Sequence, residues 1–386
     1  MKIARVATVP FFLYNHLREQ ITAMAAAGHD VVLVASAGDE VAWLRQLPGV
    51  RFHEIDIPRK IAPLRDLRAL WQLYRFFRRE GFDIVHSTTP KAGMLCALAG
   101  WLARVPIRLH TFTGQAWVEL HGLVRFVAKA GDWLTARLNT LCYADSYSQR
   151  DFIIAQGIGN ARRIRVPGSG SLAGVDLARF NPEKWASSRD ATLRELAIPP
   201  GSKVITFIGR LTRDKGLAEL LAAFHTVVQR GQDCVLLLVG PEDAADGTLR
   251  ARAAQDEGNL RYIGYSTQPE RYLAITDIFC LPSYREGFGN VIIEAAAMGV
   301  PAVGTDIVGL CDSVSNGDTG LLVPVKDAAA LADALLRLLT DDVLRRAMGE
   351  RALRRAVAEF DARRVSALVL EEYRRLENER GAAAAR

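Results

Sequence analysis

YREGFGNVIIE, residues 284 to 294, sets two carboxylates, Glu286 and Glu294, with seven residues between them and Gly287-Phe288-Gly289-Asn290 directly after the first. The glycines permit close backbone approach to a ligand. The apolar run Val291 to Ala297 predicts a helix whose unpaired N–H groups and positive dipole end favour an anion. Glu294 is then expected about two turns inside that helix, on roughly the face that Glu286 leads into.

The flanking order has the same grammar. Upstream, Val204–Ile208 reads as a strand followed by GRLTRDKG (Gly209 to Gly216), Val235–Val239 as a strand ending in Gly240-Pro241, and Ile278–Leu281 as a strand before Pro282-Ser283. Downstream come GVPAVGTDIVG (Gly299 to Gly309) and NGDTGLLVP (Asn316 to Pro324). The first half repeats the rhythm: strand Lys2–Thr8, a helix carrying Leu17, Ile21, Met24 and Ala25 and ended by Gly28, strands Val31–Ala35 and Arg51–Ile55, helix Leu64–Arg79, strand Ile84–Val85 into His86, helix Ala92–Leu102 and strand Arg108–His110. Alternation at these lengths predicts doubly wound parallel sheets, and 386 residues predict two domains. Ligands in such sheets lie outside the carboxyl ends of strands. That places His110, in HTFTGQAW, and His86 and Lys91, in HSTTPKAG, at a binding edge. Arg210 and Lys215 supply a guanidinium fork and a mobile ammonium, a pair suited to a diphosphate.

This series resembles the donor-binding half of the retaining nucleotide-sugar glycosyltransferases of glycosyltransferase family 4, whose signature is E-x7-E, and the resemblance extends over most of the chain. It implies the α/β GT-B fold, two Rossmann-like domains facing a central cleft. Residues 1–180 would bind the acceptor, residues 181–362 the nucleotide sugar, and a closing helix at 363–380 would pack back on the first domain. VPGSGSLAGVDLARF (Val166 to Phe180) resembles the passage between the two, and the tail 381–386 is expected to fray. By the same resemblance Glu286 meets donor-sugar hydroxyls and His110 stands near the reacting carbon. Arg210 and Lys215 hold the diphosphate, Glu294 the ribose, the amides of Gly287, Phe288, Gly289 and Asn290 the sugar and phosphate, and GYS around Tyr265 the base. Pro10, Lys91, Ser169 and Gly170 fall on the acceptor side. Relatives often carry Gly-Gly in the first loop, where this chain has Thr8-Val9-Pro10. The resemblance implies front-face transfer with retention, the leaving phosphate helping to deprotonate the acceptor. TVPFFLYNHLREQ (Thr8 to Gln20) and HTFTGQ are most similar to bacterial enzymes of capsule, O-antigen lipopolysaccharide and protein-glycan assembly, which implies a UDP-sugar donor and an undecaprenyl-diphosphate-linked acceptor.

Composition sets bounds on this reading. An apolar fraction of 49% with 24% charged residues indicates a globular chain, and no apolar run approaches the roughly 20 residues that span a bilayer. The N-terminus reads as a first strand, so a cytoplasmic location is expected. Five scattered cysteines form no C-x-x-C pair and are expected to be small buried residues. No D-x-D triplet is present, so a metal cofactor is not expected and the chain's own cations must meet the diphosphate. Residues 1–180 carry +9 and the remainder −3, which points the first domain at something anionic. Gly122 to Leu141 reads as a basic amphipathic helix for which packing on the sheet and contact with an anionic bilayer are both open, and Arg59-Lys60-Ile61-Ala62-Pro63-Leu64-Arg65 is a second such tract. Peripheral attachment to the inner face of the cytoplasmic membrane is the expectation. Two other classes fit the fold: a non-hydrolysing UDP-sugar 2-epimerase, and a non-catalytic partner that binds sugar nucleotides or lipid intermediates. The former needs further carboxylates and histidines that the motifs do not supply. The intact set Arg210, Lys215, Glu286 and Glu294 argues against the latter.

Overall fold

Ile3, Ala4 and Val6 alternate faces along β1 (Lys2–Val6) and all are buried, as a central parallel strand covered by helices on both sides requires. In the computed structural model, which describes residues 1–59, 61–242 and 258–384, the chain forms two units, Met1–Gly174 with Ala362–Arg386, and Val175–Asp361.

Around β1 the first unit assembles β2 (Asp30–Ala35), β3 (Val50–Glu54), β4 (Ile84–Thr88), β5 (Ile107–Phe112), β6 (Leu141–Ala144) and β7 (Ile164–Arg165) in the parallel order β3-β2-β1-β4-β5-β6-β7. The order reverses between β1 and β4. There Pro10 opens the helix Pro10–Ala26, Lys91 lies in the first turn of Pro90–Leu102, and the Thr8 and Thr89 hydroxyls meet at 2.8 Å. The helix Ala362–Ala384 belongs to this unit and runs past the expected end at residue 380, so 381–384 are helical; Ala385 and Arg386 lie outside the described residues.

Several elements differ from expectation. The helix from Gly122 stops at Leu138 because Leu141 is taken into β6, a four-residue strand that the apolar flanks conceal. The second unit begins at Val175: its amide donates to the Phe360 carbonyl, and Phe180 packs in that unit's core, so the boundary falls before Phe180. Cys311 is exposed and the other four cysteines are buried. Lys60 lies outside the described residues.

The second unit forms a parallel sheet ordered β10 (Leu260–Gly264), β9 (Cys234–Val239), β8 (Lys203–Ile208), β11 (Ile278–Leu281), β12 (Ala302–Thr305), β13 (Gly320–Val323), reversing between β8 and β11. Its core runs from Val175 and Phe180 through the strands to Phe360.

Arg5 on β1 is fully buried. Its guanidinium donates to the Tyr373 hydroxyl at 3.0 Å and to Gln20 Oε1 at 3.4 Å, while His86 Nδ1 lies 2.5 Å from the same hydroxyl. Tyr373 therefore couples the closing helix to the sheet by satisfying two buried groups at once. Tyr373→Phe is expected to leave both without that partner and to destabilise the first unit by about 1–3 kcal/mol, seen as a lowered melting temperature in calorimetry.

Candidate active site

Every loop of the second unit that carries a sequence-predicted residue leaves the carboxyl end of a strand: Gly209–Lys215 follows β8, Tyr265 follows β10, and Pro282–Gly289 follows β11. Because β8 and β11 are neighbours at the point where strand order reverses, the first and last of these loops meet over a natural crevice. Two glycines make the approach possible. Gly216, at φ +69°, leaves no room for a Cβ, which would fall 1.9 Å from the Pro282 carbonyl oxygen. A Cβ on Gly309 would fall 2.7 Å from the Gly287 oxygen.

The side chains follow from that contact. The Lys215 ammonium donates to Glu286 Oε1, and the Ser283 hydroxyl donates to the same oxygen at 2.8 Å. Both members of the ion pair are largely buried. Arg210 is mostly exposed and reaches Asp214 at 3.9 Å; Arg285 approaches the same carboxylate. Burial alone would raise the Asp214 pKa, but the bond from Thr212 and the charges of Arg210, Lys215 and Arg285 hold it below its ordinary value. Asp214, Ser283 and Arg285 carried no sequence signal of their own, since each takes its place only when the two loops meet.

Glu294 lies in the helix Asn290–Ala297, which opens at a left-handed Gly289. The expected two turns shrink to one, because the loop persists to Gly289 and the helix starts later. Glu294 is half-buried beside Arg179 and Glu270, which pair with each other at 2.7 Å. Burial pushes its carboxyl up to about 7, with Arg179 opposing and Glu270 adding to the rise. Arg179 and Glu270 were missed, being far apart in sequence. Gly287 is buried and Asn290 half-buried, whereas Tyr265 is exposed. The Phe288 side chain packs against Phe360 in the core with ring centroids 5.3 Å apart, so only its backbone is available to a ligand.

In the first unit, His110 is not the last residue of its strand, which continues to Phe112. Its ring is buried beneath Gly93, whose added Cβ would fall 2.4 Å from the imidazole, and Ser87 Oγ stands 3.0 Å from Nδ1. Burial pushes its pKa down to about 3, so the ring is neutral at ordinary pH. His86 does not line a binding edge: Tyr373 and Thr111 occupy its two ring nitrogens and it is buried. Lys91 is committed to Asp66, at 2.7 and 2.9 Å to the two oxygens. Pro10 and Gly170 are buried, and Ser169 is half-buried in the turn before Ser171. Among the described residues no group of three or more His, Cys, Asp and Glu is placed to hold a metal ion.

Residues 188–355 match the family described as glycosyl transferases group 1, and residues 15–168 a glycosyl transferase 4-like domain. The chain is 31% identical to the capsular polysaccharide biosynthesis glycosyltransferase CapM of Staphylococcus aureus, over 85% of each chain. It is 28% identical to the UDP-Gal:alpha-D-GlcNAc-diphosphoundecaprenol alpha-1,3-galactosyltransferase of Escherichia coli, over 74% of each. Among solved structures, Anabaena HepE in complex with UDP and glucose superposes with a TM-score of 0.80 at 19% identity, covering 97% of this chain and 99% of that one, a likeness of fold that identifies GT-B.

Because the folded pKa of Glu294 stands above its unfolded value, its ionisation costs stability as pH rises from about 4.5 to about 7. Glu294→Gln removes that cost. The melting temperature of the variant relative to the parent is expected to climb between pH 5 and pH 8 in a fluorimetric series, whereas a constant difference would contradict the raised pKa.

Proposed function

We propose that this chain, which belongs to the group 1 glycosyl transferases, moves a sugar with retention from a UDP-N-acetylhexosamine or UDP-hexose to a glycan carried on undecaprenyl diphosphate, in the assembly of a cell-surface polysaccharide. The observation that carries the reading is the buried Lys215–Glu286 pair, steadied by Ser283 where the strand order of the second unit reverses. It joins a cation suited to a diphosphate to a carboxylate suited to sugar hydroxyls in a single site. The UDP and glucose named for HepE and the diphosphoundecaprenol named for the Escherichia coli enzyme support this donor and acceptor.

As the glycosidic bond loosens, negative charge grows on the leaving diphosphate and positive charge on the sugar. Arg210, Lys215 and the amides from Gly287 to Asn290 stabilise the former without reorganising. Glu286 orients the sugar through its hydroxyls, Glu294 receives the ribose, and Tyr265 stands by the base. The acceptor proton passes to the leaving phosphate. Since the chain's own cations meet the diphosphate, no metal cofactor is needed.

The acceptor lipid implies a membrane, and the surface of the first unit supports one. Leu64 is 84% exposed and Leu67 63%, in the first half of the helix Pro63–Glu80; Leu123 is 76% and Phe126 70% exposed at the start of Gly122–Leu138. Both helices pack on Pro90–Leu102 and begin where strands end, so these residues gather at the carboxyl edge of the sheet. Arg65, Arg68, Arg125 and Lys129 are interleaved with them. Exposed apolar groups ringed by cations suit the peripheral face of an anionic bilayer, on its cytoplasmic side. No helix among the described residues is long and apolar enough to cross a membrane.

Incubation with a panel of radiolabelled UDP-sugars, with and without polyprenyl-diphosphate-linked acceptors, is expected to give labelled lipid with one sugar and to persist in EDTA. Interconversion of UDP-sugars without acceptor would replace the reading by epimerisation, and binding without turnover would make the chain a non-catalytic partner. Flotation with anionic liposomes, and not with neutral ones, should fall on replacing Leu123 and Phe126 by Ser while donor hydrolysis holds. Equal recovery with both vesicle types would remove the membrane from the reading.

A further inference from the structure

Asp145 follows β6 directly, at the carboxyl edge of the first unit's sheet, and is 6% exposed. Its Oδ1 is buried without a hydrogen-bond partner, and among the described residues no bond reaches either carboxyl oxygen. Only its backbone is held: its amide donates to Gln149 Oε1 at 2.7 Å, and its carbonyl accepts from the Ser171 amide at 2.7 Å. Ser171 is itself held at φ +65°, a left-handed conformation that costs a non-glycine residue energy and marks a loop fixed by its surroundings. Nearby, Gln149 Nε2 is also buried without a partner, as are Thr88 Oγ1 at the end of β4 and Gln115 Nε2 beyond β5. Unpaired buried polar atoms are rare because each forfeits its bonds to water. Here they follow the ends of three adjacent strands, on the edge where ligands of such sheets bind.

Burial pushes the Asp145 carboxyl up to about 8, with no charged group contributing. A neutral carboxyl there can both donate and accept a hydrogen bond, which suits a sugar hydroxyl and does not suit a diphosphate. Ser171, whose amide is bonded to Asp145, directly follows Ser169 and Gly170, which sequence had given to the acceptor side.

Resting on the glycosyltransferase reading above, the geometry points to Asp145 as an acceptor-binding residue whose carboxyl hydrogen-bonds a hydroxyl of the acceptor's terminal sugar, with Gln149 and the Gly170–Ser171 loop fixing its position. The residue specifies the acceptor and takes no part in breaking the donor bond. A buried carboxyl that no protein group satisfies is also a liability to the fold, so removing it should not weaken the protein.

The test uses the full-length protein and the polyprenyl-diphosphate-linked acceptor that the unaltered protein labels. Asp145→Ala is expected to raise the acceptor KM about tenfold, the loss of roughly one good hydrogen bond, with slow donor hydrolysis by water unchanged and the melting temperature equal or higher. Asp145→Asn, which keeps a donor and an acceptor of the same shape, is expected to recover most of the acceptor KM. An unchanged acceptor KM in Asp145→Ala overturns the assignment, as does a lowered melting temperature with parallel loss of donor hydrolysis, the mark of a merely structural residue. Absence of transfer by the unaltered protein would instead count against the function proposed above, so the two failures are distinguishable.

Discussion

The ion pair between Lys215 and Glu286 is the constraint on which the second unit's site depends. Two largely buried charges are tolerated only as a pair, since stripping one of its partner would leave the other uncompensated at a cost of several kcal/mol. The pair therefore locks the loop after β8 to the loop after β11 and fixes where the amides from Gly287 to Asn290 point. Gly216 and Gly309 serve the same end from the backbone, by clearing the space that the closed loops occupy. Arg210 differs in kind: it is mostly exposed and only loosely tied to Asp214.

The second unit was far more legible in sequence than the first, and the reason is local. GRLTRDKG and YREGFGNVIIE each carry their chemistry within a few residues of a strand end, so finding the strand finds the site. Where a role depends on residues brought from afar, sequence was silent: Arg179 and Glu270 flank Glu294 from separate elements. In the first unit the strands through His86 and His110 were found, but their ends and the directions of their side chains were not. His86 and His110 belong to adjacent strands, yet one is enclosed by Tyr373 and Thr111 while the other turns to the opposite face, beneath Gly93. The parity that separates them depends on register, which a short strand with a misplaced end does not reveal. For the helix from Gly122 the sequence leaves packing on the sheet and contact with a bilayer both open, and Leu123 and Phe126 stand exposed.

Glu294 and Asp145 share a physical feature, and they hold it at some cost to the fold. One half-buried and the other buried, each is a carboxyl with its pKa raised chiefly by desolvation, and neither gains from a dedicated cation of its own. Arg179, the cation nearest Glu294, is already paired with Glu270. Glu80 behaves oppositely: bonded to Lys2, Arg51 and Arg79, it is held below its ordinary value. The contrast is thus between a carboxylate held by cations of the chain and carboxyls that burial leaves without a cation of their own. The latter stand at strand carboxyl ends or one helical turn beyond, on the edge to which sheets of this kind direct ligands.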